Sequence, residues 1–437
     1  MRLHHIKAHA FHAPRLGEVQ EFTDVLISLD ETGTIVAVTE GADHPDALVL
    51  PAGQILIPGF VDLHVHAPQY PQLGSALDLP LEDWLQHYTF PLEARYADLD
   101  FARTVYDTLI ADMLALGTTS ALHFATIHVP ATNLLAEICL SRGQRAVIGK
   151  VAMDDPDACP DFYRDASATD AIDGTRAVID HIHAIAGKDG LVAPAITPRF
   201  IPSCTDECLH GLGKLAAETG VRVQSHISES DWQHGFVRAR TGRSDAESFA
   251  HYGLLREYSV FAHGTHLSAS DMELLRDHGA GVAHCAASNA YFAGAVFPLR
   301  RALDIGLNTG LGTDISGGPN PSIFEAARMT VAASRIRARG VDADIAADAR
   351  GTAEPAIDMA TAFHLATRGG AQALGLPVGA FEVGMKFDAM AIDTLRAEGT
   401  IRPFGATGLR LLEKVLHTAS RPNIVVVWTD GVQRVGS

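Results

Sequence analysis

Two histidines separated by one residue, His64 and His66, stand at the end of an apolar run that begins at Ile55. Side chains alternate along an extended strand, so both imidazoles point to the same face. Two imidazoles on one face, where a buried strand emerges, are typical of a site that grips one metal ion from two directions. Because the chain has 22 histidines, the alternative is a strand end with two solvated histidines, and further ligands must decide between the two.

Three further candidate ligands also stand at the ends of apolar runs. His226 and His263 are imidazoles of this kind, and Asp314 adds a carboxylate. Imidazole nitrogens with one carboxylate suit a borderline divalent ion, zinc first and iron second. Each residue alone could be structural, but five on the ends of strands favour a metal centre.

The number of ions follows from two basic residues. Binuclear barrels of this kind usually bridge their two ions with a modified lysine from the fourth strand, where this chain has Arg199. Lys150 lies within the third strand, and we expect it to point elsewhere. The sequence therefore predicts one ion per chain.

The predicted chemistry is hydrolysis. A cation held by neutral imidazoles lowers the pKa of its water towards neutrality. Asp314 is placed to bind the ion or to take a proton from that water. Glu229 can carry a proton to a ring nitrogen and then to a leaving amine. It lies three residues after His226, on the opposite side of an extended strand, so the chain must bend there. Otherwise Glu229 is a solvated loop charge. We predict Glu229, Asp314 and His263 as the catalytic residues.

The elements that must position these residues alternate between apolar strand-like runs and helical stretches, which predicts βαβ units and a parallel sheet. We count eight such runs, at 55–66, 118–128, 145–154, 191–200, 221–229, 260–267, 279–289 and 306–315. This count predicts a (β/α)₈ barrel, with active-site residues at the carboxyl ends of its strands. We expect helices over 209–218 and 322–338. An open doubly wound sheet is the alternative, but no Gly-x-Gly-x-x-Gly turn follows the first strand.

Short β-rich segments occupy both ends of the chain. Residues 24–30, 34–38, 387–392 and 423–428 read as strands, and the Asp-Gly pair within 429–432 predicts a hairpin. We predict a small discontinuous β-sandwich domain from residues 1–57 and 380–437, with the barrel at 58–379.

Composition restricts the partners and the compartment. The chain has 437 residues and a net charge of −18, which disfavours nucleic acids and anionic membrane surfaces as partners. Five scattered cysteines argue against a disulfide framework. No signal peptide and no apolar stretch of about 20 residues is found. We therefore expect a cytoplasmic protein that binds no membrane.

The motifs resemble the amidohydrolase superfamily and, within it, the guanine deaminase family. The superfamily pattern consists of residues 58–66 with His226, His263 and Asp314. The segments that are similar to guanine deaminases are 66–70, 78–85, 88–95, 124–128, 197–200 and 225–229. One departure is the Ala286 that follows His284-Cys285, where relatives usually have proline.

The resemblance implies hydrolysis of guanine to xanthine and ammonia on one zinc ion. It implies that Gln69 and Arg199 contact the purine and that Phe200 lies against its ring. We expect Trp84 and Phe90 to wall the pocket. His284 either touches the attacking water or supports the rim.

Other functions stay open at this point. The enzyme alternative is a deaminase of another aminopurine, an aminopyrimidine or a triazine ring, with 8-oxoguanine and cytosine as examples. The non-enzyme alternative is a catalytically inactive barrel that acts as a scaffold. By analogy with other acidic barrels we expect a homodimer.

Overall fold

The structure is a computed structural model that describes residues 2–188 and 190–436. It contains two sheets, one closed into a barrel and one built from both chain ends. The strands in chain order are β1 (His5–Arg15), β2 (Glu18–Leu29), β3 (Ile35–Glu40), β4 (Leu48–Val49), β5 (Gln54–Pro58), β6 (Phe60–His66), β7 (Thr118–Phe124), β8 (Arg145–Gly149), β9 (Val151–Ala152), β10 (Val192–Pro198), β11 (Arg222–Ile227), β12 (Val260–His263), β13 (Gly281–His284), β14 (Asn308–Leu311), β15 (Ala389–Asp393), β16 (Ile424–Thr429) and β17 (Val432–Val435).

The helices fill the crossovers between the barrel strands and the segment before β16. In chain order they are α1 (Leu81–Trp84), α2 (Phe90–Ala94), α3 (Leu99–Ala115), α4 (Val129–Arg142), α5 (Ala168–Ala186), α6 (Asp206–Thr219), α7 (Asp231–Thr241), α8 (Asp245–His251), α9 (Ala269–Asp277), α10 (Ala286–Ser288), α11 (Leu299–Asp304), α12 (Ile323–Arg339), α13 (Met359–His364), α14 (Gly370–Ala373) and α15 (Gly408–Thr418). The helices expected over 209–218 and 322–338 are α6 and α12, which confirms both. The hydroxyl of Thr205 caps α6 by accepting from Cys208 N at 3.2 Å, as an N-cap threonine should.

The barrel consists of parallel strands in the order β6, β7, β8, β10, β11, β12, β13 and β14, with β9 beside β10. Hydrogen bonds after β14 close the ring. Asp314 N donates to His64 O at 2.8 Å, and His66 N donates to Ile315 O at 2.9 Å. All eight predicted runs supply a strand of this ring, so the barrel prediction is confirmed.

One predicted run is wrong in detail. Residues 55–66 form two strands, with β5 in the sheet of the chain ends and β6 in the barrel. Gly59 lies between them and donates its N–H to Asp388 O at 2.9 Å. A Cβ on Gly59 would lie 2.2 Å from Thr119 Oγ1. Only glycine allows this close approach, so the chain changes sheets at this residue.

The second sheet is mixed and has the order β17, β16, β15, β5, β1, β2 and β3, with β4 beside β1. The β-rich module that joins both chain ends is thus present, and the boundaries 57/58 and 379/380 stay a prediction. The predicted hairpin joins β16 to β17. Its central residues Asp430 and Gly431 have φ of +48° and +69°, as a type I′ turn requires.

A buried ion-pair network connects the two sheets at the amino ends of the barrel strands. Arg145, at the start of β8, donates to Asp388 at 3.2 and 3.4 Å and to Asp430 at 2.5 Å. Asp388 also accepts from Asp430 N at 2.8 Å. Arg145 belongs to the barrel, whereas Asp388 and Asp430 flank β15 and β16, so the network holds the barrel against the sheet of the chain ends. Separately, no helix within 2–188 and 190–436 is long and apolar enough to cross a bilayer.

Candidate metal centre and active site

The candidate ligands converge at the carboxyl ends of the barrel strands. His64 and His66 lie on β6, His226 on β11 and His263 at the end of β12, and all four are buried. Asp314 follows β14 and is 6% exposed. Two overlapping groups, one of His64, His66 and His226 and one of His64, His263 and Asp314, each place their ligand atoms within 4.8 Å of one another.

The distances between these atoms fit a cation that all of them share. His66 Nε2 and His226 Nε2 are 2.9 Å apart, and His64 Nε2 lies 3.2 Å from Asp314 Oδ1. His64 Nε2 makes no hydrogen bond although it is buried, a costly arrangement in the absence of a partner. Facing imidazole lone pairs beside a carboxylate repel each other unless a cation lies between them. The donor set therefore fits a divalent ion.

Contacts behind the ligands fix the nitrogens that face the centre. His226 Nδ1 donates to the carbonyl oxygen of Arg199, which leaves its Nε2 lone pair free to bind. His263 Nδ1 contacts Asn289 Oδ1 at 2.9 Å, so Nε2 of His263 also faces the centre. Asp62 accepts from His64 N at 3.2 Å and from Thr313 N at 3.0 Å. Partners of this kind orient metal ligands in proteins.

Burial keeps the imidazoles neutral. It lowers the pKa of His64, His66 and His226 well below the ordinary value, and neighbouring histidines act in the same direction. Burial also lowers the pKa of His263, although Asp314 opposes that shift. Neutral imidazole is the form that binds metal ions, so these residues are ready to bind at neutral pH.

Glu229 reaches the same centre through a local bend. Ser228, directly after β11, has φ of +45°, and this left-handed residue turns the Glu229 side chain inward. Asp245 holds the bend, because its carboxylate accepts from Ser228 Oγ at 3.0 Å and from Ser228 N at 3.3 Å. Glu229 Oε2 lies 3.6 Å from His263 Nε2. Burial, followed by the charge of Asp314, raises the pKa of Glu229 to about 8.

Backbone strain marks this end of the barrel. Besides Ser228, the non-glycine residues His263 and Asp314 have φ of +77° and +51°. Such conformations cost about 1–3 kcal/mol each and cluster at functional sites. The strain is thus located at the candidate ligands themselves.

A cavity opens above the ligands, with a volume of about 430 Å³ when its solvent-filled mouth is included. Gln69, Trp84, Arg199, Phe200 and Phe292 are among its lining residues. The indole ring of Trp84 contacts the ring of Phe292 with centroids 5.0 Å apart. The long first crossover and the loop after β13 therefore meet over the mouth.

Two polar side chains of the cavity share one buried carboxylate. Glu93 Oε2 accepts from Arg199 Nη1 at 2.7 Å, and Glu93 Oε1 accepts from Arg199 Nη2 at 3.2 Å. Glu93 Oε1 also accepts from Gln69 Nε2 at 2.9 Å. Burial alone would lower the pKa of the Arg199 guanidinium, but Glu93 outweighs it and raises that pKa. Arg199 is therefore a fixed cation in the wall of the cavity.

Three expectations about neighbouring residues have different outcomes. Phe90 does not line the cavity and instead packs beneath the Arg199 guanidinium at 5.0 Å, so the expected wall position is wrong. Lys150 points away from the centre and donates to Asp165 at 2.6 Å, as expected. His284 is buried outside the cavity lining, with its ring centroid 5.6 Å from that of Phe297. This position fits support of the rim.

Three residues of the site were missed by the sequence analysis. Glu93 lies within the segment 88–95 that carries the family resemblance, but its partners are distant in sequence. Asn289 ends the segment His284–Asn289, whose departure from the family pattern drew attention to the loop and not to this amide. Phe292 carries no signal, since an aromatic residue in a loop is seldom distinctive.

The chain has detectable relatives. Residues 55–434 match the model of the amidohydrolase family. A protein of Schizosaccharomyces pombe named "Probable guanine deaminase" is 37% identical over 439 residues, which cover 96% of this chain and 81% of the relative.

Solved structures are similar over nearly the whole length. A guanine deaminase from C. acetobutylicum with guanine bound in its active site has a TM-score of 0.90 and 29% identity, covering 98% of this chain and 99% of that one. An adenosine deaminase from Xanthomonas campestris with bound zinc has a TM-score of 0.82 and 25% identity, covering 99% of this chain and 92% of that one.

Proposed function

This chain belongs to the amidohydrolase family and, within it, to the guanine deaminases, and we propose that it hydrolyses guanine to xanthine and ammonia. The observation that carries the proposal is the pairing of a five-ligand centre with a cavity whose wall presents a fixed guanidinium. The centre supports hydrolysis, and the cation of Arg199 supports a substrate with a carbonyl oxygen.

The cavity wall supports a 6-oxo purine. Arg199 offers only donors, which suit O6 of guanine, and the amide of Gln69 can both donate and accept. Phe200 and Trp84 are apolar surfaces for the faces of a planar ring. A 6-amino purine would put N–H groups against the N–H groups of Arg199. A site discriminates strongly against a substrate that leaves its polar groups unpaired in this way. This argument favours guanine over adenine.

The ion we propose is a single Zn²⁺, with Fe²⁺ as the alternative, held by the imidazoles of His64, His66, His226 and His263 and by Asp314. When bound, it supplies a Lewis acid that lowers the pKa of water at the site. Neutral imidazoles and one buried carboxylate are the ligands that zinc prefers.

The proton transfers fall to Glu229 and Asp314. Burial raises the pKa of Glu229 to about 8, which favours the protonated form that the first step needs. Glu229 gives this proton to the ring nitrogen N3 while water attacks C2, and Asp314 takes one proton of that water. His263 Nε2, 3.6 Å from Glu229 and 4.0 Å from Asp314, holds the two carboxyl groups on one side of the substrate.

The second half of the reaction releases ammonia. Glu229 accepts the proton of the hydroxyl on C2 and delivers it to the amino nitrogen, and the C2–N bond breaks. The proton held by Asp314 then returns to Glu229. The sum is guanine plus water giving xanthine plus ammonia, with the enzyme unchanged.

The test is ammonia release by the purified protein with guanine, 8-oxoguanine, adenine and cytosine, together with metal analysis. We expect ammonia and xanthine from guanine and about one equivalent of zinc per chain. Ammonia from adenine or cytosine with guanine untouched would contradict the proposed substrate. A metal-free protein without ammonia release on any of these rings would favour a scaffold.

We also propose a cytoplasmic homodimer with no nucleic-acid or membrane partner. The support is the net charge of −18, which repels phosphate groups, and the analogy with other barrels. Size-exclusion chromatography with light scattering measures the oligomeric state directly.

A further inference from the structure

Glu93 contacts both Gln69 and Arg199 in the cavity wall but does not itself line the cavity. It is fully buried and absent from the lining. Its carboxylate lies behind Gln69 and Arg199 and receives three hydrogen bonds from them, at 2.7–3.2 Å. A carboxylate in this position cannot contact the substrate. It can, however, fix the orientation of the two side chains that do.

The amide of Gln69 has only one orientation that satisfies its neighbours. Its Nε2 donates to Glu93 at 2.9 Å, and its Oε1 accepts from Ser316 N at 3.2 Å. A flipped amide would place oxygen against the carboxylate and NH₂ against the N–H of Ser316. Both contacts would be repulsive, so the arrangement of one acceptor and one remaining donor towards the cavity is fixed.

The guanidinium of Arg199 is fixed in the same way. Glu93 engages both of its terminal nitrogens, and this bidentate pairing sets the plane of the group. The ring of Phe90 supports the same plane from 5.0 Å. The N–H groups that Glu93 does not use therefore have a defined direction.

On the basis of these contacts, we propose that Glu93 is a positioning residue. By orienting Gln69 and Arg199, it makes the cavity specific for the 6-oxo edge of the substrate. The inference rests on the proposed function and deepens it. A carboxylate behind the wall holds the acceptor and donors of Gln69 and Arg199 in the pattern that complements a ring carbonyl beside an N–H. Glu93 acts through these two side chains and takes no part in the proton transfers.

The consequence is a specific pattern of substrate preference. 2-Aminopurine carries the same leaving amino group as guanine but lacks O6 and the N1 proton. The native cavity should strongly prefer guanine, because its polar groups would be left unpaired by the analogue. If Glu93 enforces the pattern, Glu93→Gln should lower kcat/KM for guanine far more than kcat/KM for 2-aminopurine.

The experiment measures kcat and KM for guanine and 2-aminopurine in the metal-loaded protein. For Glu93→Gln we expect the preference for guanine in kcat/KM to narrow by about tenfold or more, chiefly through the KM for guanine. Glu93→Asp keeps the charge, but its side chain is shorter by one methylene. The preference of this variant for guanine should therefore fall between those of the native protein and Glu93→Gln. If Glu93→Gln does not fold, a narrowed preference in Glu93→Asp makes the same case.

Asp388→Asn is the matched control. Asp388 is also a buried carboxylate in a bidentate pair, with Nε and Nη2 of Arg145, but it lies at the opposite end of the barrel. We expect this variant to lose thermal stability and to keep the native preference between the two purines. If the loss of any buried ion pair had this effect, the preference for guanine would narrow equally in Glu93→Gln and Asp388→Asn.

The outcomes separate the inference from the proposed function. Absence of ammonia release from guanine by the native protein would contradict the proposed function itself. A native protein that is active on guanine, with an unchanged preference in folded Glu93→Gln or Glu93→Asp, would overturn the role of Glu93 alone. So would an equal narrowing in Asp388→Asn.

Discussion

Two buried guanidinium–carboxylate pairs lie at opposite ends of the barrel. Arg199 and Glu93 pair at the carboxyl ends of the strands, and Arg145 and Asp388 pair at the amino ends. Both pairs are bidentate and nearly inaccessible to water. Their surroundings differ, because Arg145 has its remaining partner in Asp430, whereas Arg199 faces a cavity.

The same pair of groups therefore has a different role at each end of the barrel. At the amino ends, Asp388 and Asp430 bind Arg145 from the neighbouring sheet, and the pair connects two sheets. At the carboxyl ends, donors are left over and point at a ligand site. Changes at the mouth should therefore alter activity more than stability, and changes at the other end the reverse.

Removal of the metal is the largest expected effect at the mouth. Dialysis against a strong chelator should reduce ammonia release from guanine to background, because the water is no longer activated. Zn²⁺ should restore the activity, and circular dichroism should show a folded barrel throughout. Full activity in a protein shown to be free of metal would contradict a metal centre at these residues.

Glu229→Gln tests the mouth without removing the ion. Loss of the proton carrier should lower kcat by roughly 10²–10⁴-fold, with zinc content and melting temperature close to native. Glu207→Gln, an exposed residue of α6, is the control and should be fully active. Native turnover in Glu229→Gln would remove this residue from the mechanism.

Arg145→Met tests the ion pair at the amino ends of the strands. It leaves Asp388 buried without its cation, which should cost about 3–5 kcal/mol in the free energy of unfolding. Urea denaturation measures this cost, and kcat at low temperature should stay native. Arg142→Met is the control, since its pair with Asp107 is exposed and should contribute about 0–1 kcal/mol. If the free energy of unfolding fell equally in the two variants, burial of the ion pair would not be the cause of the loss.

The smallest expected effect is that of Gly431→Ala in the hairpin between β16 and β17. A left-handed alanine costs about 1 kcal/mol, and its Cβ would also lie 2.9 Å from Leu29 Cδ1. Gly41→Ala is the control, because Gly41 has φ of +66° with open space around it. The melting temperature should fall more in Gly431→Ala, and activity should be native in both.

Local patterns were sufficient to predict the barrel and the convergence of the candidate ligands. His64 and His66 follow from strand periodicity, and the other candidate ligands stand at the ends of apolar runs, where a barrel brings them together. The split of the first run at Gly59 was not predicted, because an apolar run does not reveal that its two halves lie in different sheets. Strand β1 was also missed, since its three histidines obscure the alternation.

The rest of the site depends on contacts between distant residues. Glu93 acts through Gln69 and Arg199, 24 and 106 residues away in the chain. The inward turn of Glu229 depends on the left-handed Ser228, which a non-glycine residue does not announce. Phe90 was expected in the cavity wall, but hydrophobicity alone does not distinguish a wall from the layer behind it.

The barrel closes between its first and last strands, and the candidate ligands lie across that seam. His64 and His66 belong to β6, and Asp314, in the loop that follows β14, donates its N–H to His64 O at 2.8 Å. An ion bound there would link β6 to the segment after β14 and so hold the barrel closed. Heat that opens the seam would then release the ion at the same moment, so zinc loss and inactivation should follow a single time course.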